Sequence, residues 1–319
     1  MKILITGGLG FIGLNLISSL GDRHKIVIVD KVSADNVHAE FLSSPNIQTI
    51  RGDICDLNLL CEILNREKFD CIVHLCAISS VAEAESNRAE CDRVNVYGSK
   101  MLLQALSKSR SKNAALIFAS SREVYGDTKG LALNEDSIMQ PINHYGKSKL
   151  KAQRLIEYYA KANHNPCIIF QLANVYGGKF DKPSRVIPSF SANILKGQEL
   201  CIYGGEQILD FVHISDVMAC LRQAIEVLPH IQMCERFILS SGRGVSIKEL
   251  VSLLEQALHT QAYCNYRAKR DFEVASFIGD NAKAKAFFNI KFKDITQGLA
   301  LYAALLQGVF QYIKKERVC

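Results

Sequence analysis

The sequence lacks the long apolar run that a membrane-spanning helix needs. Its 319 residues are 48% hydrophobic and 22% charged, the balance of an ordinary globular protein, and no apolar stretch approaches the roughly 18 residues that cross a bilayer. The opening residues, MKILITGG, predict a β-strand and lack the apolar core of a signal peptide. We therefore expect a cytoplasmic protein without a membrane partner, folded as one large α/β domain or as a large and a small one.

Cysteine and charge patterns typical of metal or nucleic-acid binding are also missing. The 11 cysteines occur singly in apolar segments, without a C-x-x-C pair or a His/Cys cluster, so we expect buried, reduced thiols. The formal charge of +6 is spread along the chain, and its basic stretches contain no interleaved aromatic residues. We expect no metal site and no nucleic-acid partner, and the mild positive charge suits a small anionic substrate.

Short β-branched runs alternate with helical periodicity in the first half of the chain. The predicted strands are 2–6, 25–30, 47–51, 71–75, 115–120 and 167–171, and the predicted helices are 11–21, 56–66, 91–110 and 145–163. Several of these strands are apolar at nearly every position, as in strands that are buried on both faces. The alternation predicts an α/β fold, a doubly wound parallel sheet of the Rossmann type, over residues 1–173.

The pattern changes after Asn174. A loop at 177–188 precedes a helix and a short strand at 200–202, and further helices are expected near 246–258, 280–288 and 294–314. Residues 174–319 therefore predict a smaller mixed C-terminal lobe, separated from the sheet by a cleft. The segment near 205–241, which contains a predicted strand at 237–241, is expected to return to the Rossmann domain.

Glycines at a regular spacing follow the first predicted strand. The segment TGGLGFIG places Gly7, Gly10 and Gly13 between the strand at 2–6 and the helix at 11–21. In that context glycines allow a tight turn close to a pyrophosphate, and the helix directs its N-terminal N–H groups at the phosphate charge. The spacing predicts a dinucleotide-binding turn.

Two aspartates follow the next two strands. Asp30 ends the strand at 25–30, where a carboxylate accepts hydrogen bonds from the adenosine ribose and repels a 2′-phosphate. Asp53, in RGDICDL, fits either a position near the adenine or a plain turn. We therefore expect NAD, rather than NADP, as the cofactor.

A tyrosine and a lysine occur four residues apart in HYGKSKL. Tyr145 and Lys149 therefore share one helix face. An ammonium group close to a phenol lowers the pKa of the phenol, which would make Tyr145 a base near neutral pH. Ser121, at the end of a predicted strand, is a candidate partner for this pair.

Together these motifs resemble those of one family. TGGLGFIG, GDICDL, HLCAISSV, VNVYGSK, SSREVYGD, YGKSK and NVYGG occur in the order typical of extended short-chain dehydrogenases/reductases. Over nearly its whole length the sequence resembles the NAD-dependent epimerase/dehydratase family of that group. The resemblance implies an enzyme that uses NAD and acts on a nucleotide-diphosphate sugar.

The resemblance also implies roles for single residues. Tyr145 would be the catalytic base, Lys149 would hold the nicotinamide ribose, Ser121 would bind the sugar hydroxyl, and Glu123 is a fourth catalytic candidate. The implied cofactor-binding residues are Gly7, Gly10, Phe11, Ile12, Gly13, Asp30, Asp53, Ile54, Leu75, Ala77, Asn95, Tyr145 and Lys149. The implied substrate-binding residues are Ser80, Val81, Ser121, Asn174 and Arg270.

Three positions depart from the family pattern. Leu209 and Gln171 stand where many members have an arginine, and Gly178 replaces a usual proline. The arginine that Leu209 replaces helps to hold the substrate diphosphate. Lys182 and Arg185 in the nearby loop could compensate, although a solvated loop is the simpler interpretation.

The stretch SSREVYGD leaves related reactions open. Ser121 and Glu123 occupy the hydroxyl-binding and C5-base positions of the family's 4,6-dehydratases, but Arg122 replaces the aspartic acid of the glucose-type enzymes. An arginine is a poor general acid, since it keeps its proton at working pH. We expect a 4-epimerase that forms a transient 4-keto sugar. A 4,6-dehydratase is the second choice, followed by a reductase, a decarboxylase or a non-catalytic NAD-binding protein.

The helices at 91–110 and 145–163 also suggest a homodimer. In the family these helices pair across a two-fold axis. The residues expected to face a partner are Met101, Leu102, Ala105, Leu155, Ile156 and Tyr159. Burial of the same residues within one chain is the alternative.

Overall fold

The computed structural model describes residues 1–37, 39–231 and 233–316. Its strands are β1 (Lys2–Thr6), β2 (Lys25–Asp30), β3 (Ile47–Arg51), β4 (Cys71–His74), β5 (Ala115–Ser121), β6 (Ala132–Leu133), β7 (Cys167–Leu172), β8 (Asn174–Tyr176), β9 (Glu199–Tyr203), β10 (Ile208–His213), β11 (Cys234–Leu239), β12 (Gly244–Ser246), β13 (Tyr263–Arg267) and β14 (Ile278–Gly279). Its helices are α1 (Phe11–Leu20), α2 (Leu57–Arg66), α3 (Val81–Ser86), α4 (Arg88–Cys91), α5 (Gly98–Ser107), α6 (His144–Asn163), α7 (Val186–Leu195), α8 (Ile214–Val227), α9 (Ile247–Leu258), α10 (Ala282–Phe288) and α11 (Ile295–Glu316). None of these helices combines the length and the apolar character needed to cross a membrane.

Seven strands form one sheet in the order β3-β2-β1-β4-β5-β7-β11. Every pairing in it is parallel. The chain moves outward in one direction from β1 to β3 and in the other from β4 to β11, so the order reverses between β1 and β4. Ligands of open α/β sheets bind at the carboxyl ends of the strands beside such a reversal. The predicted doubly wound Rossmann fold is confirmed.

Alternate residues of the central strands enter two different cores. Ile3 and Ile5 of β1 pack into the core that α1 and α8 cover, whereas Leu4 packs into the core beneath α2, α5 and α6. Every residue of β4 and β7 is buried. Strands covered on both faces must be apolar throughout, which explains the continuous hydrophobic runs in the sequence.

The C-terminal lobe has its own small sheets and core. One sheet has the order β12-β10-β8, and β9 pairs with β13 in another. α7, α9 and α11 cover this lobe's core through residues such as Ile187, Leu250 and Leu299. The chain passes from the main sheet into the lobe between β7 and β8, next to the expected boundary at residue 173, and the division into domains stays a prediction.

Several elements differ from their predicted form. The helix expected at 91–110 consists of α4, a π-helical segment at Asp92–Tyr97, and α5. The segment near 205–241, which was expected to return to the Rossmann domain, does so only in part. β10 belongs to the C-terminal lobe, whereas α8 and β11 pack with the main sheet. Short strands such as β8, β10 and β12 were not predicted, because strands of three to six residues in a polar context give little periodicity.

The apolar residues expected at a dimer interface lie inside the single chain. Met101, Leu102 and Ala105 of α5 are buried in the core that α6 also covers. Ile156 and Tyr159 of α6 are buried in the same core, and Leu155 packs against it. The expectation that these side chains face a partner is therefore wrong for the buried ones, because the two helices cover the sheet. The homodimer itself stays a prediction.

A buried carboxylate joins the lobe to the end of the main sheet. Asp210 of β10 accepts hydrogen bonds from the backbone N–H groups of Ser241 (2.7 Å), Gly242 (3.0 Å) and Gly279 (3.3 Å). The Ser241 hydroxyl donates a further bond of 2.8 Å. Since Ser241 follows β11 and Gly279 belongs to β14, one side chain links three segments that are distant in sequence.

We expect Asp210→Asn to destabilise the fold. The new amide group would place N–H donors against backbone N–H donors, at a cost of about 2–4 kcal/mol. The free energy of unfolding should be measured at pH 8, above the pKa of about 6 to which burial raises this carboxyl. Asp271→Asn, at an exposed position, is the control. Equal stability of the two variants would contradict the role of Asp210.

Candidate active site

The turn after β1 has the shape that a pyrophosphate requires. Gly7 adopts a φ of +70°, and a Cβ there would lie 2.6 Å from Cα of Cys76. A Cβ on Gly13 would lie 2.4 Å from the carbonyl oxygen of Gly8. α1 thus packs against the turn with Gly10 as its N-cap, and its unpaired N–H groups suit an anion. These residues fit a dinucleotide.

Asp30 connects the end of β2 to this turn. Its carboxylate accepts hydrogen bonds from the backbone N–H groups of Leu9 (3.0 Å) and Val32 (3.1 Å). The side chain lines the cleft beside the glycine turn. A carboxylate has about four acceptor positions, so two stay available for ribose hydroxyls. This arrangement fits the expected contact with NAD.

Asp53 is part of a surface ion-pair network. Its carboxylate accepts bonds from Arg93 Nη1 (3.0 Å) and from the backbone N–H of Cys55 (2.9 Å). Burial alone would raise the pKa of Asp53, but these two donors outweigh it and the pKa is lowered. Arg93 also forms a two-bond pair with Glu90, at 2.6 and 2.8 Å. Asp53 therefore fixes the loop after β3 while it lines the cleft.

The two lobes enclose a cleft of about 760 Å³ at the carboxyl edge of the main sheet. The predicted site residues that line it are Gly7, Gly10, Phe11, Ile12, Gly13, Asp30, Asp53, Ile54, Leu75, Ala77, Ser80, Val81, Ser121, Glu123, Tyr145, Asn174 and Arg270. Ser80 is the N-cap of α3, where its hydroxyl accepts from Glu83 N at 3.3 Å. The fold thus brings most of the predicted set to one cavity.

Asn95 does not line this cleft. It is 1% exposed, and its Oδ1 accepts from Ile78 N at 2.8 Å while its Nδ2 donates to Ile78 O at 3.1 Å. Nδ2 also donates to the Ser148 hydroxyl at 2.9 Å. The side chain therefore ties the loop after β4 to α6 through the π-helical segment. π-helical segments occur often at functional sites, and here the segment positions the cleft wall.

Ser121 and Tyr145 lie at the end of β5 and at the start of α6. Ser121 is the last residue of β5 and Tyr145 is the second residue of α6, and both line the cleft. Burial raises the pKa of Tyr145 to about 12, and the Ser121 hydroxyl and the Arg185 charge act in the opposite direction. The two residues therefore present their side chains at the same cavity.

Close packing fixes the distance between these two elements. A Cβ on Gly146 would lie 2.4 Å from the carbonyl oxygen of Glu123, so α6 rests directly on the turn after β5. Asn143 caps the helix by accepting from Gly146 N at 2.8 Å. This contact explains why a glycine follows Tyr145, because a side chain at position 146 would push the phenol away from Ser121.

Lys149 is only 3% exposed and is not among the described residues that line the cleft. Its ammonium nitrogen is 4.3 Å from the centre of the Phe118 ring. Burial lowers the pKa of Lys149 to about 7 and raises that of Tyr145, so it favours the uncharged forms of both groups. Burial outweighs the opposing effects of Ser121 and Arg185 on the pKa of the phenol, and a lowering of that pKa by Lys149 stays a prediction.

Arg122 and Glu123 form a buried ion pair beside Ser121. Arg122 Nη2 lies 2.7 Å from Glu123 Oε1, and the two side chains are 9% and 5% exposed. The second carboxylate oxygen, Oε2, accepts from Asn143 Nδ2 at 2.7 Å. The guanidinium also packs 5.6 Å from the centre of the Phe277 ring. Both oxygens of Glu123 are thus already held by protein donors.

Several cations and amides surround the opposite end of the cleft. Arg270 packs over the Tyr203 ring at 3.8 Å and pairs with Glu273 at 3.3 Å. Asn174 donates to the carbonyl of Asp210 at 3.0 Å. Both line the cleft together with Lys182 and Arg185. Lys182 and Arg185 are therefore near the site, and their replacement of the missing arginine stays a prediction.

The three departures have structural explanations. Leu209 packs against the core of the lobe. Gln171 is fully buried and accepts a hydrogen bond from the Tyr125 hydroxyl at 2.7 Å. Gly178 has a φ of +77°, which excludes a proline there, because the proline ring holds φ near −65°.

Three residues that the sequence interpretation missed complete the site. Arg93 holds Asp53, Asn143 holds Glu123, and Gly146 allows the close approach of α6. Asn143 precedes a helical pattern, which is the signal for an N-cap, but its contact with Glu123 spans 20 residues. No local pattern marks such long-range pairs.

Comparison with known proteins identifies the family. The sequence model of the NAD dependent epimerase/dehydratase family matches residues 3–233. The chain is 30% identical over 266 residues to the dTDP-D-glucose 4,6-dehydratase of Homo sapiens, covering 80% of this chain and 74% of that protein. It is 27% identical over 307 residues to the UDP-glucose 4-epimerase of Dictyostelium discoideum, covering 89% of each. The chain belongs to the NAD-dependent epimerase/dehydratase family.

Solved structures share the fold over both lobes. The UDP-glucose 4-epimerase of Thermotoga maritima with UDP-glucose has a TM-score of 0.87 and 28% identity, over 97% of this chain and 100% of that one. The UDP-glucuronic acid 4-epimerase of Bacillus cereus, in complex with UDP-glucuronic acid and NAD, has a TM-score of 0.86 and 25% identity over the same shares. The predicted family and its cofactor, NAD, are confirmed.

We expect Lys149→Met to raise the unfolding temperature while abolishing activity. Burial depresses the pKa of Lys149, so the wild type pays for a buried charge below pH 7 and gains stability as the pH rises toward the ordinary lysine value. The unfolding temperature of Lys149→Met should exceed that of the wild type by more than about 2 °C, which corresponds to about 1 kcal/mol in a domain of this size. It should be larger at pH 6 than at pH 10.

Lys147→Met is the matched control, since Lys147 lies on the same helix and is exposed. Thermal unfolding of both variants at pH 6, 8 and 10 tests the idea. A lower unfolding temperature for Lys149→Met at pH 6 would show that the ammonium stabilises the fold.

Proposed function

We propose that this protein is an NAD-dependent nucleotide-sugar 4-epimerase. The proposal is supported by the dinucleotide turn, by Ser121 and Tyr145, which line one cleft, and by the extension of that cleft from the glycine turn to Asn174 and Arg270. Bound NAD supplies the hydride acceptor for the oxidation of a sugar alcohol and the hydride donor for the reverse step. The residues of the chain then bind the alcohol and move its proton.

Tyr145 is the group that takes the proton of the sugar 4-hydroxyl. Ser121 binds the same oxygen and orients it toward the phenol. A nearby cation favours the phenolate: Arg185 lowers the pKa of Tyr145, and Lys149 lies one helical turn away on the same face. When the ketone is reduced from its other face, Tyr145 returns the proton and the stereocentre is inverted.

The choice of epimerisation over dehydration rests on the buried ion pair between Arg122 and Glu123. A 4,6-dehydratase must remove the C5 proton and protonate the departing 6-hydroxyl. Glu123 has both oxygens engaged, by Arg122 Nη2 and by Asn143 Nδ2, at 2.7 Å each. Arg122 cannot serve as the acid. An epimerase needs neither step, and this favours epimerisation.

The dehydratase is the second candidate. Glu123 lines the cleft next to Ser121, and human dTDP-D-glucose 4,6-dehydratase is 30% identical to this chain. Each oxygen of Glu123 keeps a second acceptor position, and for dehydration one of these positions would have to reach the C5 proton. A water molecule or another side chain would have to act as the acid.

We also propose that the protein forms a homodimer. Although the apolar residues of α5 and α6 face inward, Tyr158 of α6 is 76% exposed and Tyr97, just before α5, is 47% exposed. Exposed tyrosines suit an interface, since they combine apolar area with a polar tip.

Mass spectrometry of the product decides between the two reactions. The purified protein, loaded with NAD, should be incubated with UDP-, dTDP-, GDP- and CDP-sugars. We expect a product of unchanged mass and altered configuration at C4, formed without added NADH. A product lighter by one water would establish the dehydratase, and net oxidation of NADH would establish a reductase.

We expect the double variant Arg122→Met/Glu123→Gln, which leaves no unpaired charge in the core, to retain activity within about tenfold of the wild type, because an epimerase has no proton for this carboxylate to remove. A general base contributes roughly 10²–10⁴-fold, so a loss in that range would indicate a catalytic carboxylate. Tyr145→Phe is the inactive reference. Equal NAD affinity of the three proteins ensures that folding is intact.

A further inference from the structure

Two cysteines occupy matching positions on adjacent strands of the main sheet. Cys167 is the first residue of β7, Cys234 is the first residue of β11, and the parallel pairing of the strands places the two residues directly opposite each other. Adjacent strands lie about 4.8 Å apart, and a disulfide spans Cα atoms that are roughly 4.4–6.8 Å apart. Both residues are free thiols in the structure. Their backbone positions therefore meet the distance requirement of a disulfide.

The two side chains also lie on the same face of the sheet. Cys167 belongs to the core that α5 and α6 cover, and Cys234 packs against that same core. The neighbouring Cys234 thiol and burial both raise the pKa of the Cys167 thiol, which agrees with two adjacent sulfur atoms. The thiols can therefore react with each other without a movement of either strand.

This match is specific to one pair of cysteines. Among the paired strands of the described residues, no other cysteine lies opposite a cysteine. Cys71 of β4 lies opposite Ile3 and Ala115, and it packs into the core on the other face of the sheet. Cys264 of β13 lies opposite Leu200. The sheet therefore brings together only Cys167 and Cys234.

The two thiols differ in their access to small molecules. β11 is the terminal strand of the main sheet, and Cys234 is half-buried next to Met233, whose side chain is 71% exposed. Cys167 is fully buried. A dissolved oxidant therefore reaches Cys234 first, and Cys167 reacts with the sulfur atom of its neighbour.

We propose that Cys167 and Cys234 form a reversible disulfide that links β11 to β7 when the protein meets a low-molecular-weight disulfide such as glutathione disulfide. The Cys234 thiolate attacks one sulfur of glutathione disulfide, and the first glutathione leaves. The Cys167 thiolate then attacks the Cys234 sulfur of this mixed disulfide, and the second glutathione leaves. The protein loses two electrons and two protons, and glutathione disulfide takes them up to become two glutathione molecules.

The expected effect of this bond is a more stable fold. It closes a loop of roughly 70 residues that contains much of the lobe, and a disulfide restricts the unfolded chain more strongly when its loop is longer. The cleft lies at the other end of β7, where Leu172 lines it, about 17 Å from Cys167 along the strand. The bond therefore stabilises the sheet at a distance from the cleft.

Peptide mapping tests whether the bond forms. The NAD-loaded protein should be incubated at pH 8 with an excess of glutathione disulfide or of reduced glutathione, alkylated in denaturant and digested with trypsin without reduction. After oxidation we expect the tryptic peptides 162–179 and 223–236 to be linked, with a mass two hydrogens below their sum. The proposal is wrong if Cys167 stays alkylated, or if Cys234 carries only glutathione or pairs with a different cysteine.

Thermal unfolding of the same two samples tests the effect of the bond. We expect the oxidised protein to unfold at a temperature higher by about 4 °C or more. Cys234→Ser should abolish this difference, and so should Cys167→Ala, which serves if the first variant does not fold. Cys201→Ser, at an exposed position, is the matched control and should keep the difference. Equal unfolding temperatures of the oxidised and reduced wild type, or an undiminished difference in Cys234→Ser, would contradict the proposal.

Discussion

The end of the cleft next to Ser121, the proposed sugar site, depends on the buried ion pair between Arg122 and Glu123. Two opposite charges that are 9% and 5% exposed are stable only because they neutralise each other, and removal of one partner would leave an uncompensated charge. The pair therefore constrains both residues at once. It holds the carboxylate in place through one oxygen, and Asn143 holds it through the other. The turn that carries the pair also supports α6 through Gly146, so the same contact positions Tyr145.

The rest of the molecule forms the cleft around this ion pair. The reversal of strand order between β1 and β4 opens the crevice, and β5 extends from its floor to Ser121. The lobe closes the opposite side through residues such as Asn174 and Arg270. Because Asp210 ties the lobe to the ends of β11 and β14, both walls of the cleft belong to one connected framework.

Local spacing in the sequence was sufficient to predict the glycine turn and the shared helix face of Tyr145 and Lys149. Gly7 and Gly13 leave no room for a side chain, and the spacing of Tyr145 and Lys149 places them on one helix face, so each constraint operates within a few residues. The sheet was predictable as well, because strands buried on both faces must be apolar. These features follow from short-range geometry.

Contacts between distant residues could not be predicted in this way. Arg93 meets Asp53 across 40 residues, and Asn143 meets Glu123 across 20. Helical periodicity showed that Met101 and Ile156 lie on apolar faces, but it could not distinguish a partner chain from the chain's own sheet. Burial also depends on distant residues, and it raises the pKa of Tyr145, which the local spacing of Tyr145 and Lys149 could not show.

Deuterium incorporation at C5 tests the central claim most directly. If Arg122 and Asn143 keep Glu123 from acting as a base, the C5–H bond stays intact throughout turnover. The reaction should be run in heavy water to partial conversion, and the product examined by proton NMR. The account predicts a 4-epimer that retains its full C5 proton signal. Loss of that signal through deuterium would show that a base removes the C5 proton, and it would contradict the role assigned to the ion pair.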